Sequence, residues 1–257
     1  MLELKNITKY FNKGTVDETL LFDGFNFKVE KGSFVSVIGS NGSGKTTLLN
    51  AICGSIGIDG GSIEFEGKDI THIPEYKRAA FIGRVFQDPQ MGTCPDLTII
   101  ENMALADNKG KKYGLSLAVN KRRIEYYKEL VSKCGMGLEN RMNVKVGNLS
   151  GGQRQALALV IANMTDIDLL ILDEHTAALD PKTSENIMKL TDKFVKEKKI
   201  TTLMVTHNLR FALEYGDRIV MMHEGGSVLD ECGDAKKALI MDDLLKIFNR
   251  ISIECGN

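Results

Sequence analysis

One stretch limits the possible folds more than any other: Gly39-Ser40-Asn41-Gly42-Ser43-Gly44-Lys45-Thr46-Thr47, which fits G-x-x-x-x-G-K-[ST] with an additional glycine at Gly42. The preceding Phe34-Val35-Ser36-Val37-Ile38 is apolar and β-branched and reads as a buried strand; the following Thr46-Thr47-Leu48-Leu49-Asn50-Ala51-Ile52 reads as the opening of a helix. Between such a strand and helix, glycines let successive backbone N–H groups converge on one concave surface, where side chains would block a polyphosphate. The helix N-terminus adds its unpaired N–H groups and partial positive charge. Lys45 is then expected to reach the β- and γ-phosphates, and the Thr46 hydroxyl to complete the shell of a Mg²⁺ ion. A bare glycine-rich turn can carry Lys-Thr by accident. The flanking strand and helix make nucleoside triphosphate binding the expectation.

A chain of 257 residues can bury a sizeable core. A charged fraction of 26% against 43% hydrophobic residues is ordinary for a soluble globular protein. The net charge of −1 supplies no global field toward nucleic acid or acidic lipid, so no nucleic-acid partner is expected. Small basic runs at Lys109 to Lys112, Lys121 to Arg123 and Lys196 to Lys199 read as solvated faces and loops. Cys53, Cys94, Cys134, Cys232 and Cys255 are scattered and lack C-x-x-C spacing, which argues for a reducing compartment and against a disulfide framework or zinc site. Met1-Leu2-Glu3-Leu4-Lys5 lacks the order of a signal peptide, and no apolar run approaches the ~20 residues that span a bilayer. A role at a membrane is therefore expected to go through a partner.

Along the chain, residues 2–8 and 25–29 alternate as half-buried antiparallel strands, joined by a polar stretch from Lys13 to Glu18. Residues 60–67 suggest a hairpin-like strand, a short helix is expected near Pro74 to Ala80, and residues 81–86 read as a strand ending at Gln87. From Leu97 to about Met164 the character is helical. Thr98 can cap residues 99–106, with Glu101 placed for a capping box, and residues 121–134 carry Ile124, Tyr127, Leu130 and Val131 on one face. The strand Asp168 to Asp173, helix Pro181 to Lys198 and strand Thr201 to Thr206 restore the alternation. Asp217 to His223 and Ser227 to Glu231 close it around a Gly225-Gly226 turn, before short final helices. Alternating strands and helices imply an α/β fold with a mostly parallel sheet covered on both faces. The organisation expected is one domain, with a nucleotide-binding core at about residues 1–87 and 166–257 and an inserted helical subdomain at about residues 88–165.

Ligands of an open α/β sheet gather at the carboxyl ends of its strands. Besides the loop, Gln87, Asp173-Glu174 and His207 stand at such ends. Asp173, after Leu169-Leu170-Ile171-Leu172, suits the acid that holds Mg²⁺, and Glu174 is placed to orient the attacking water. A lone glutamine is ordinarily a surface residue and a lone histidine ordinarily structural; what singles these out is their position.

Leu149-Ser150-Gly151-Gly152-Gln153 is the signature of the ATP-binding-cassette (ABC) family, and the order of phosphate loop, glutamine, signature, acid pair, Ala177-Ala178-Leu179-Asp180 and histidine resembles that family from about residue 2 to 231. The resemblance implies a P-loop NTPase of RecA-like fold with an N-terminal antiparallel β-subdomain and an inserted helical subdomain. It makes Glu174, His207 and Gln87 catalytic, and Thr46, Gln87 and Asp173 the ligands of Mg²⁺. ATP is then held by Phe11 as the adenine-stacking aromatic, by Gly39 through Thr47, and by Ser150, Gly151, Gly152, Gln153 and Asp180. Phe11 replaces the more usual Tyr and Ala177 a common Ser; His175 stands where Pro or Ala is frequent and receives no chemistry. Ser150, Gly151 and Gly152 open a helix, so their hydroxyl and N–H groups are expected to face outward as an anion site. The family's sandwich implies a head-to-tail, nucleotide-dependent homodimer peripheral to the cytoplasmic face of the membrane, beneath permease subunits and served by an extracytoplasmic substrate-binding protein. The acid-pair wording further resembles a bacterial importer group, some members of which are assigned to tryptophan or tyrosine uptake. An exporter or lipoprotein-release ATPase is the alternative. A non-transport ABC ATPase is disfavoured, since this length leaves no room for a coiled-coil insertion or second cassette.

Overall fold

The computed structural model describes residues 1–109 and 118–254; Lys111, Lys112 and Cys255 lie outside them. In chain order the elements are β1 (Leu2–Phe11), β2 (Thr19–Val29), β3 (Phe34–Gly39), α1 (Lys45–Cys53), β4 (Gly60–Phe65), β5 (Lys68–Asp69), α2 (Glu75–Arg78) and β6 (Ile82–Val85). There follow α3 (Ile99–Asp107), α4 (Ile124–Ser132), α5 (Gly151–Ala162), β7 (Leu169–Asp173), α6 (Pro181–Lys198) and β8 (Thr201–Val205). The chain closes with α7 (Leu209–Glu214), β9 (Arg218–His223), β10 (Gly226–Cys232), α8 (Gly233–Ala238) and α9 (Met241–Glu254). Two compact units result, Met1–Ala79 with Ile200–Asn257, and Ala80–Lys199.

In the first unit, alternation at the start of β1 buries Leu2 and Leu4, a register shift then turns Ile7 inward, and β2 answers with Phe22, Phe25, Phe27 and Val29. These strands form an antiparallel sheet in the order β2-β1-β4-β5, its aromatic face stacked through Phe22 and Phe25 with centroids 4.9 Å apart. A second group runs β10-β9-β3-β8, with β3 parallel to both neighbours. All six residues of β3 are buried, as expected of a strand covered on both faces. The Ser36 hydroxyl satisfies itself on the Tyr215 carbonyl at 3.3 Å. Ile38 packs with Ala212, Ile219, Met221, Leu244 and Ile251, so α7 and α9 cover one face of this group.

The hairpin turn differs from the expectation. It is Glu224-Gly225, both left-handed, and Gly226 already pairs with His223; a two-residue hairpin needs positive φ at both central positions. The final helix α9 has 14 residues and is not short. α7 has no counterpart in the periodicity, because six residues are too few to show it.

In the second unit β6 runs parallel to β7, from Ile82 opposite Leu169 to Val85 opposite Leu172. The expected capping box opens α3: the Glu101 N–H donates to Thr98 Oγ1 at 3.3 Å, and the Thr98 N–H donates to Glu101 Oε2 at 2.8 Å. Of the basic run before α4, Arg123 is not simply solvated. It forms a two-point pair with Asp107 at 2.8 and 2.7 Å, and the buried Tyr127 donates to the same carboxylate. Among the described residues no helix is long and apolar enough to cross a membrane.

Candidate functional site

In the first unit, β3 delivers the chain into the glycine-rich loop, and the backbone there admits few side chains. Gly39 has φ +151, and a Cβ on it would run into the Met222 carbonyl of β9. Gly44 caps α1 with φ +101, and its Cβ would come within 2.9 Å of the Phe22 ring. α1 thus begins with no side-chain cap and no acidic residue in its first turn. Such an end presents N–H groups and the positive end of the helix dipole to whatever lies before it. Lys45 is buried, and its Nζ donates to the Gly39 and Ser40 carbonyls at 2.9 and 2.8 Å. The charge that the sequence sends toward a phosphate is therefore stationed on the loop itself. Ser40, Asn41, Gly42 and Thr46 are exposed, and Thr47 is partly buried. A concave loop of amides, a lysine and an exposed threonine hydroxyl fits a polyphosphate with its cation.

His207 is exposed just beyond β8, between the buried Thr206 and the Asn208 cap of α7. Thr206 is tied to β3 through its N–H on Val37, at 3.1 Å. Phe11 is 39% exposed at the end of β1, with Lys9 Nζ 5.6 Å from its ring centre; the ring offers a face for stacking.

The second unit holds the acids. β7 is buried throughout and ends on Asp173. Arg84 of β6 donates to Asp173 Oδ2 at 2.7 Å, both side chains being 12% exposed, and its guanidinium lies over the Phe86 ring at 4.6 Å. No local pattern in the sequence marks Arg84 for this role. Glu174 follows, partly buried, at φ +46. Gln87 is exposed beyond β6, where Gln155 steadies the backbone by donating to the Phe86 carbonyl at 3.1 Å.

The signature segment opens α5 with Ser150 exposed. Ser150 Oγ accepts the Gln153 N–H at 3.3 Å, so the hydroxyl caps α5 with one lone pair and keeps its proton and a second lone pair. Gln153 Oε1 accepts from the Ser150 N–H and from Arg141, each at 3.2 Å, which closes a reciprocal capping box. Ser-Gly-Gly-Gln is itself that box's spacing, so the cap is legible in the sequence. Gly151 is partly exposed, whereas Gly152 is buried, and a Cβ there would strike the Thr183 methyl of α6. Gly152 thereby serves close helix packing. Asp180 likewise caps α6, accepting the Thr183 N–H at 3.0 Å; hydrogen bonds from the Thr183 side chain and backbone hold its carboxyl below the usual range.

The ABC transporter family model matches residues 22–177. A tyrosine transport ATP-binding protein of Clostridioides difficile (strain R20291) is 46% identical over 248 residues, covering 96% of this chain and 98% of that protein. Among solved structures, the dimeric post-hydrolysis state of the ATP-binding cassette MJ0796 bound to ADP and Pi is 30% identical with a TM-score of 0.78, covering 90% of this chain and 98% of that one. The ADP conformation of MJ1267, an ATP-binding cassette of an ABC transporter, is 27% identical with a TM-score of 0.81, covering 100% and 99%. The likeness spans the antiparallel sheet, the parallel strands and the helices alike, so the fold is that of a P-loop NTPase. The chain belongs to the ABC transporter family, as an ATP-binding subunit that hydrolyses ATP.

Proposed function

We propose that this chain is the ATPase of a bacterial importer, working at the cytoplasmic face of the membrane as a nucleotide-dependent, head-to-tail homodimer beneath separate permease subunits. An extracytoplasmic binding protein delivers the solute. The observation that carries the nucleotide reading is the uncapped, glycine-lined start of α1 with Lys45 stationed on the loop carbonyls. The importer reading draws on the relative named for tyrosine transport, which makes an aromatic amino acid the first solute to test.

Mg²⁺, when bound, neutralises charge on the β- and γ-phosphates, and Thr46, Gln87 and Asp173 are the residues that would hold it. Lys45 and the loop amides bind and orient the phosphates, Phe11 stacks on adenine, Glu174 orients the attacking water, and His207 contacts the γ-phosphate. Ser150, Gly151, Gly152 and Gln153 of the second copy, with its Asp180, close the site.

The permease would dock on the segment Asp88 to Leu97 and the helices around it. The 3-10 turn Pro89–Gly92, α3 and α5 border an open cavity of about 420 Å³ lined by Met91, Cys94, Leu105, Lys109 and Ile161. Met91 and Leu105 are 70% and 49% exposed, apolar surface of the kind that marks interaction sites when it is clustered.

Glu174→Gln tests the chemistry, because the amide keeps the shape and loses the carboxylate. Equilibrium ATP binding should hold within a few-fold while hydrolysis falls by about 10² or more, and nucleotide-loaded dimers should accumulate. Hydrolysis at the wild-type rate would remove Glu174 from this role.

A further inference from the structure

His175, which the family resemblance leaves without a task, is the residue the structure explains furthest. The chain leaves β7 through Glu174 at φ +46, a left-handed conformation that is costly for a residue with a side chain and persists only where its surroundings hold it. Ala177 N–H donates to the Glu174 carbonyl at 2.9 Å and Leu179 N–H to the Thr176 carbonyl at 3.3 Å, so residues 174–179 form a tight double turn. α6 grips that turn at two buried points spaced seven residues apart, on one helical face. Ser184 donates to the Thr176 carbonyl at 3.0 Å. Thr191 Oγ1 lies 3.3 Å from His175 Nε2, and His175 is only 2% exposed.

The direction of that second bond follows from its neighbours. The Thr191 hydroxyl spends its proton on the Ile187 carbonyl at 2.8 Å, which leaves it a lone pair for His175. The imidazole must therefore donate from Nε2–H. A buried histidine elsewhere in a core would merely be satisfied. This one is joined by a single peptide to Glu174, so its anchor on α6 restrains the backbone beside that residue.

We propose that His175 is a positioning residue for Glu174: its Nε2–H bond to Thr191 holds the left-handed turn and so aims the Glu174 carboxylate. The inference rests on the reading of Glu174 as the residue that orients water, and it adds a requirement on α6 that the acid pair alone does not contain.

The test compares His175→Ala, His175→Gln, Thr191→Val and Thr191→Ser in the full chain. The readouts are kcat and KM for MgATP, equilibrium binding of a fluorescent ATP analogue, and amide hydrogen exchange across residues 174–179. His175→Ala and the near-isosteric Thr191→Val should each lower kcat about tenfold, with nucleotide affinity held within twofold and exchange at Ala177 accelerated. His175→Gln places an amide donor near Nε2, and Thr191→Ser keeps the acceptor; both should restore most of kcat. In a Glu174→Gln background, single-turnover hydrolysis should not fall further with His175→Ala, because the two residues act as one unit. An equal fall in both backgrounds, or unchanged exchange at Ala177, overturns the proposal. If Glu174→Gln alone hydrolyses at the wild-type rate, the reading of Glu174 fails instead, and the exchange data separately decide whether His175 holds the turn.

Discussion

Asp173 ends a buried strand, and a carboxylate there requires a partner of opposite charge or strong hydrogen bonds. Arg84 supplies it through Oδ2, and the pairing orients the acid that the metal reading needs. His175, two residues on, obeys the opposite logic: it is buried in neutral form, and burial pushes its pKa down to about 4. An unfolded histidine takes up its proton near pH 6.5. Between that pH and about 4 the unfolded chain therefore binds a proton that the folded chain does not. Stability falls as the pH drops through this window, by on the order of 3 kcal/mol in full, and this group adds no pH dependence above it. His175→Gln removes the titrating ring. Urea midpoints measured at pH 7.5 and pH 4.5 should thus lie closer together in the variant than in the wild type. An unchanged gap would mean that the buried ring does not govern acid sensitivity.

At the scale of elements, the helix ends divide by task. α5 and α6 are closed by their own side chains, through Ser150 with Gln153 and through Asp180, whereas α1 is left uncapped at the loop. Carboxyl ends are served by cations from afar, the sign the helix dipole favours. The buried Arg78 donates to the Ala51 and Ile52 carbonyls of α1, each at 2.8 Å. Lys236 reaches the Tyr215 carbonyl beyond α7 at 2.7 Å, and Lys198, from a run expected to be solvated, reaches the Asn163 carbonyl that ends α5. The proposed dock is also a property of elements, since α3 and α5 border its cavity. Leu105→Glu and Lys109→Glu alter its apolar wall and its charge without touching the phosphate loop. In the assembled transporter, solute uptake should fall by about tenfold, while the isolated subunit keeps its ATPase rate. Parallel loss of both activities would point to damaged folding of the helical segment. Element boundaries were most legible where a cap precedes a helical stretch long enough to be recognised, as Thr98 before α3, and least where the cap heads only six residues, as Asn208 before α7.

For the molecule as a whole, the proposal places Lys45 of one copy and Ser150 of the other on the same nucleotide, and mixing two dead variants tests it. A mixed dimer of Lys45→Ala with Ser150→Arg carries both lesions in one site. The other site takes Lys45 from the Ser150 variant and Ser150 from the Lys45 variant, so it is intact. Mixing the two inactive proteins should restore part of the ATPase activity. Nucleotide-dependent dimerisation of the mixture, followed by light scattering, should exceed that of either variant alone, which covers the case in which turnover requires both sites. No gain in either assay counts against the head-to-tail arrangement.

The sequence by itself determined the parts of this protein whose physics is local. The phosphate loop is a contiguous word whose glycines, lysine and threonine act within nine residues. The β3 and β7 strands are short, predominantly apolar runs, and the α3 cap is complete within Thr98 to Glu101. Tertiary structure alone decided which distant groups those parts meet. Arg84 finds Asp173 across 89 positions. Gly152 proves to be a packing glycine only once Thr183 stands against it, and His175 acquires a partner only when Thr191 comes round on α6. The physical reason is that backbone propensity and capping act over one or two turns. A buried charge, a close helix contact or an anchored imidazole is defined by whatever the fold brings to within a few ångströms of it.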